Sequence, residues 1–158
     1  MLNLQLVSGR PMADSSERCD IDARKMLVQL DVTIPGHASS INPVVDRVLE
    51  LARDMGCAQG KEFEIETALR EALANAVRHG AKNDPDKLIE CSVSCDKERG
   101  VLIVIRDPGE GFDPAALPNP VQGQNVYSDH GRGIFLINQL MDEVSFGRNG
   151  TEIWMRKS

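Results

Sequence analysis

The order of apolar patterns along this chain predicts an α+β fold. The expected form is a two-layer sandwich, with a mixed, mostly antiparallel sheet covered on one face by three helices. Three observations carry this. Segments that alternate apolar and polar residues come in neighbouring pairs joined by short turns, which favours antiparallel pairing. Three other segments repeat apolar residues at helical spacing along one stripe, so each helix covers a surface instead of being surrounded. Strands and helices also fail to alternate one for one, as a doubly wound parallel sheet would require.

Residues 1–25 are read as an N-terminal extension, partly flexible, with a short edge strand at Leu2 to Val7; residues 26–158 form the domain. Met26, Val28, Leu30, Val32 and Ile34 alternate with Gln29, Asp31 and Thr33, a half-buried strand that Pro35-Gly36 ends. A helix follows from Ser39 or Ser40, with the stripe Ile41, Val44, Val45, Val48, Leu49 and Ala52, closed by Gly56. The next helix runs from near Lys61 to Gly80, its stripe being Ile65, Ala68, Leu69, Ala72, Leu73, Ala76 and Val77. Asp84-Pro85-Asp86 is a turn, and the strands Leu88 to Cys95 and Val101 to Arg106 flank the charged loop from Asp96 to Gly100. Residues 112–130 hold Pro114, Pro118 and Pro120 without periodicity, and are expected to form a lid that orders around its ligand. A helix opens at about Gly131 and runs through Ile134 to Met141; strands at Val144 to Phe146 and Thr151 to Met155 flank the tight turn Arg148-Asn149-Gly150.

A chain of 158 residues, 41% hydrophobic and 27% charged, has the size and composition of one globular domain. Its net charge of -6 argues against direct binding to nucleic acid or an anionic membrane. No apolar run approaches the ~20 residues that span a bilayer, and the alternating N-terminus lacks a basic leader, so a cytoplasmic protein is expected. Cys91 and Cys95 fall on one strand face about 13 Å apart, too far for one disulfide or one zinc ion between them. Cys19 and Cys57 stand alone, and all four cysteines are expected to be reduced and structural.

The chemistry-bearing residues lie in four places. Asp107-Pro108-Gly109-Glu110-Gly111 follows a buried strand, and a carboxylate beside glycines can meet an exocyclic amine while a flat ring approaches the backbone. It can equally be an ordinary turn. Glu71 and Asn75 are neighbours on one side of a helix, about 6 Å apart at their roots, at the border of its apolar stripe; two solvated polar residues would look the same. Gly131 and Gly133 precede an apolar helix whose N-terminal amides and dipole favour an anion, with Arg132 adding a cation. Thr151 follows Gly150 and could simply begin a strand. Competing signatures fail: Gly56 to Glu62 is one residue short of a Walker loop and lacks its Ser or Thr, and no G-x-G-x-x-G exists.

Taken in order, Glu71 to Gly80, Asp107 to Gly111, Gly131-Arg132-Gly133-Ile134 and Gly150-Thr151 resemble the N box and glycine boxes of the ATPase fold shared by histidine kinases, gyrase and MutL. The likeness is strongest to the small anti-sigma-factor serine/threonine kinases, in Glu71 to Gly80 and in His130 to Ile137 through Met141 to Val144, and it spans roughly Met26 to Lys157. The resemblance implies the Bergerat (GHKL) ATP-binding fold, with ATP and Mg²⁺ as cofactors. It implies that Asn75 binds the metal, that Glu71 is the catalytic base, and that Asp107 reads the adenine amine with Thr151 supporting it through water. Arg78, His79, Gly109, Gly111, His130, Gly131, Arg132 and Gly133 would complete the nucleotide site, although His79 could equally be a plain helix C-terminal cation.

The implied activity is a protein kinase acting in trans on an anti-sigma-factor antagonist and sequestering a sigma factor in an alternative complex; a homodimer is left open. A histidine autokinase would need a helix pair bearing an acceptor His, and none is expected before Met26. The rival is a non-catalytic nucleotide-binding module of the same fold. Glu71 favours the enzyme, because a pure binder needs no base there.

Overall fold

The computed structural model describes residues 3–7, 28–113 and 129–158. In chain order these form β1 (Asn3–Val7), β2 (Val28–Pro35), α1 (Ile41–Met55) and α2 (Glu62–Asn75), which continues into a π turn at Ala76–Gly80. Then come β3 (Leu88–Asp96), β4 (Gly100–Arg106), α3 (Asp129–Leu140), β5 (Glu143–Gly147) and β6 (Glu152–Lys157). The six strands make one sheet in the order β1-β2-β3-β4-β6-β5. Each described pairing is antiparallel, so the expected α+β sandwich is found with a sheet that is uniform where a mixed one was expected. The β5–β6 hairpin returns β6 beside β4, and this places the ends of β4 and β6 next to each other.

One sheet face carries the core. Leu30, Val32 and Ile34 of β2 lie beside Ile89, Cys91 and Val93 of β3 and Val101, Ile103 and Ile105 of β4, and the helices cover them with residues such as Val45, Leu69 and Ile137. Each such aliphatic side chain contributes roughly 1.5–3 kcal/mol by leaving water. Leu102, Val104 and Trp154, on the alternate positions, are buried as well. Gly56 ends α1 in the left-handed conformation (φ 69°), its N–H returning to the carbonyls of Ala52 and Arg53. Arg70 of α2 donates to Asn42 Oδ1 of α1 at 2.6 Å, which fixes the two helices against each other at the surface.

Three sequence expectations shift. The second helix, expected to be regular as far as Gly80, leaves α geometry after Asn75, and Ala81 N–H reaches back to Ala76 O at 2.8 Å. Wider π turns of this kind recur at functional sites. The third helix opens at Asp129, so Gly131 and Gly133 lie within it and not ahead of it. The cysteines are not all reduced: Cys57 and Cys95 are joined as a disulfide, Cα to Cα 6.1 Å apart. Gly56 turns the chain back so that Cys57 meets the end of β3, a proximity that a separation of 38 residues conceals. Cys91 is free and buried as expected, and burial pushes its thiol up to about 12.

The remainder of the N-terminal extension with Cys19, and the body of the expected lid, lie outside the described residues. Among the described residues, no helix is long and apolar enough to cross a membrane.

Candidate functional site

A cleft of about 520 Å³, mouth included, opens between α2 with its π turn on one side and the ends of β4 and β6 on the other. Its walls are apolar, with Ala72 and Ala76 from α2, Ile134 from α3 and Ile105 and Ile153 from the sheet. Phe112 and Phe146 close one side, their rings edge to face with centroids 5.5 Å apart. The polar groups that reach it are few: Asn75, His79, Asp107 and Thr151. A second opening of about 490 Å³ is lined by Glu71, Arg78, Arg132, Gly133 and Leu136.

Asp107 sits just past β4. Its N–H donates to Thr151 O at 2.9 Å, and its Oδ1 accepts from Gly109 N–H at 2.8 Å. Turn chemistry and an acceptor in the cleft are therefore both present in one residue. Burial pushes its carboxyl above the usual range, and the Gly109 hydrogen bond and the His79 charge only partly offset that. The backbone comes very close here: a Cβ on Gly80 would lie 2.5 Å from Asp107 Oδ1, and one on Gly109 would lie 2.8 Å from Gly80 Cα. Gly111 and Gly150 both have φ values in the left-handed region (82° and 86°), and between them Phe112 N–H donates to Asn149 O at 2.8 Å. The Thr151 hydroxyl donates to Arg148 O at 2.7 Å, so it is the Thr151 carbonyl that meets Asp107 directly.

Where the second opening begins, α2 and α3 approach closely. A Cβ on Gly133 would stand 3.0 Å from Asn75 Nδ2 and 3.1 Å from Glu71 Oε2, so the three residues converge on one point. The glycine is what lets α3 approach this near. Asn75 Oδ1 is buried there without a hydrogen-bond partner among the described residues. An orphaned buried acceptor costs about 1–3 kcal/mol, a cost that a bound cation or donor would relieve. Arg78 and Arg132 are exposed at this opening, and Gly131 is buried in the first turn of α3. His130 is in the same turn, with its side chain outside the described set.

The structure thus gathers Asn75, His79, Asp107, Gly111 and Thr151 around one cleft, and Glu71, Arg78, Arg132 and Gly133 around the next. Sequence reasoning named Gly80 and Gly150 in the motif boxes without giving them a place in the site, and it missed the Phe112–Phe146 pair. The positions of Gly80 at a helix end and of Gly150 after Asn149 were the available signals.

A profile of the histidine kinase-like ATPase domain family matches residues 34–157, and the chain belongs to that family. Within it, the chain is 28% identical over 133 residues, 80% of each chain, to an anti-sigma F factor of Geobacillus thermodenitrificans. It is 29% identical over 121 residues, 73% of each chain, to a serine-protein kinase RsbW of Halalkalibacterium halodurans. A serine-protein kinase RsbW of Staphylococcus epidermidis is 36% identical over 98 residues, 57% of this chain and 61% of the relative. The likeness to anti-sigma-factor kinases that the motifs carry is found again in these relatives.

Proposed function

We propose that this chain is an ATP-dependent serine/threonine protein kinase that phosphorylates an anti-sigma-factor antagonist in trans and holds a sigma factor in an alternative complex. One observation carries the reading: the Asn75 oxygen, buried and unpartnered among the described residues, lies beside Glu71 at the junction of an apolar cleft that ends in Asp107 and an opening flanked by Arg78 and Arg132. The names of the relatives support the partner class.

The cleft takes the adenine. Its apolar walls cover the ring faces while Asp107 accepts from the amine, and guanine, with an oxo group there, would face the carboxylate unfavourably. The triphosphate extends toward the second opening, where Arg78, Arg132 and the first turn of α3 offset its charge. Asn75 Oδ1 fits Mg²⁺, a hard cation that takes one or two protein oxygens and fills its shell from water and phosphates; the bound metal would supply neutralisation of the phosphate charge. Glu71 accepts the proton of the attacking hydroxyl as the bond from the γ-phosphorus to that oxygen forms and the bond to ADP breaks. Residues 26–158 constitute this kinase domain, and a regulator of this kind works in the cytoplasm.

Incubation with Mg-ATP and candidate antagonist proteins tests the reading, phosphoserine or phosphothreonine on the partner being the expected product. Glu71→Ala should still bind ATP and transfer phosphate about 10²–10⁴-fold more slowly. A parent protein that binds nucleotide but transfers nothing to any candidate would favour the binding module instead.

A further inference from the structure

Glu152, the first residue of β6, is 1% exposed although it is ionisable. It alternates with Thr151 and Ile153, which line the cleft, and so lies on the opposite face of the sheet. Its Oε1 accepts from the Trp154 indole N–H at 2.7 Å. Its Oε2 accepts from Arg106 Nε and lies 3.5 Å from Arg148 Nε. Arg106 is the residue before Asp107, and Arg148 opens the turn that leads to Thr151.

That turn has an unfavourable backbone. Arg148, Asn149 and Gly150 all have positive φ (49°, 58° and 86°), a run that L residues rarely adopt without support. Its carbonyls nonetheless receive both N–H groups that fix the base end of the cleft: Asp107 on Thr151 O and Phe112 on Asn149 O. One carboxylate therefore ties the end of β4 to the start of the turn that both Asp107 and Phe112 depend on.

We propose that Glu152 is a positioning residue for the base-binding end of the nucleotide cleft, acting through Arg106 and the 148–151 turn on Asp107 and Phe112. This rests on the nucleotide-site reading given above. Among the described residues Glu152 is not part of the cleft lining, so its effect is on the geometry that receives the base and not on the phosphates. Nucleotides that share a base should feel its loss equally.

The test uses the whole chain and three variants, Glu152→Gln, Arg148→Ala and Arg148→Lys. Hydrogen exchange at the Asp107 and Phe112 amides is measured without nucleotide, and ATP and ADP affinities by calorimetry. Arg148 is 65% exposed, so its variants retain the core even where Glu152→Gln fails to fold. Arg148→Ala should speed exchange at both amides and weaken ATP and ADP by the same factor, roughly fivefold, the size of a good partly exposed ion pair. Arg148→Lys should restore most of both. Glu152→Gln should do more, on the order of tenfold, because it leaves two guanidiniums facing a neutral group. Unchanged exchange at these amides in Arg148→Ala, a loss confined to ATP, or failure of the lysine to rescue would each overturn the proposal. A parent chain that binds neither nucleotide would sink the nucleotide reading, while the exchange data would still decide the role of Glu152.

Discussion

The Asp107 carboxyl spends Oδ1 on the Gly109 amide and is held above the ordinary carboxylate range, first by burial. A raised carboxyl is protonated at a higher pH than an exposed aspartate. Affinity that depends on its acceptor should therefore be present above the raised pKa and lost as pH falls through it, starting before ordinary carboxylates titrate. The fold responds in the opposite sense: a carboxyl whose pKa is raised on folding favours the folded state when protonated, and that contribution fades as pH rises through the folded pKa. Acid loss of binding through Asp107 is thus not loss of structure through Asp107. Comparing the pH dependence of ADP affinity in the parent and in Asp107→Asn isolates the effect; the variant should bind more weakly at neutral pH and show a flatter acid limb. Asn75 makes a second residue-scale prediction. Asn75→Ala removes the orphaned oxygen, so ADP affinity should become nearly the same with Mg²⁺ and with a chelator, whereas the parent should bind more tightly with the metal.

At the scale of elements, the contact of α2 with α3 decides whether the site is assembled. Alanine at Gly133 would need its Cβ within 3.0 Å of Asn75 Nδ2 and 3.1 Å of Glu71 Oε2. One or both side chains must then move, or α3 must back away. Gly133→Ala should therefore reduce phosphoryl transfer by a larger factor than it reduces ATP affinity, with a small change in Tm; steady-state kinetics beside a thermal melt checks this. The same contact explains what was legible beforehand. The α1 and α2 stripes were plain because each apolar position faces one sheet. Glu71, Asn75 and Asp107 were legible only as a set with the glycine boxes, since each alone reads as a solvated residue or a turn. The π turn was hidden because Ala76 and Val77 remain buried in phase with the preceding stripe. Glu152 was hidden because an ionisable residue at a strand end normally faces water, and only the pairing of β6 with β4 brings Arg106 to it.

At the scale of the whole molecule, the disulfide joins the link between α1 and α2 to the end of β3, closing a separation of 38 residues. Restricting the unfolded chain over such a loop is worth about 2–4 kcal/mol. Cys57→Ser should lower the urea midpoint correspondingly, and dithiothreitol should lower the parent's midpoint while leaving the variant's unchanged. Equal midpoints for parent and variant without reductant would mean the bond is not formed in solution. Glu152 adds a pH term to stability. Burial pushes its carboxyl up, but hydrogen bonds from Trp154 and Arg106, with the charges of Arg106 and Arg148, outweigh this and leave it below the usual range. A lowered carboxyl stabilises the fold above its unfolded pKa and loses that contribution as pH falls through the folded value. Acid titration of Glu152→Gln should accordingly lack part of the parent's destabilisation below the ordinary carboxylate range.

The same bond gives α2 a fixed pivot. Cys57 precedes the helix by a few residues and is anchored to the sheet, whereas Asn75 ends it, at the far end of a helix of 14 residues and about 21 Å. Tilting a rod of that length by about 5° about its near end would displace the far end by roughly 2 Å. That exceeds the roughly 0.5 Å within which a binding or catalytic constellation must be held. Pressure from a docked protein on the near half of α2 would scarcely disturb the site, while the same push beside Arg78 and His79 would act with the full lever arm.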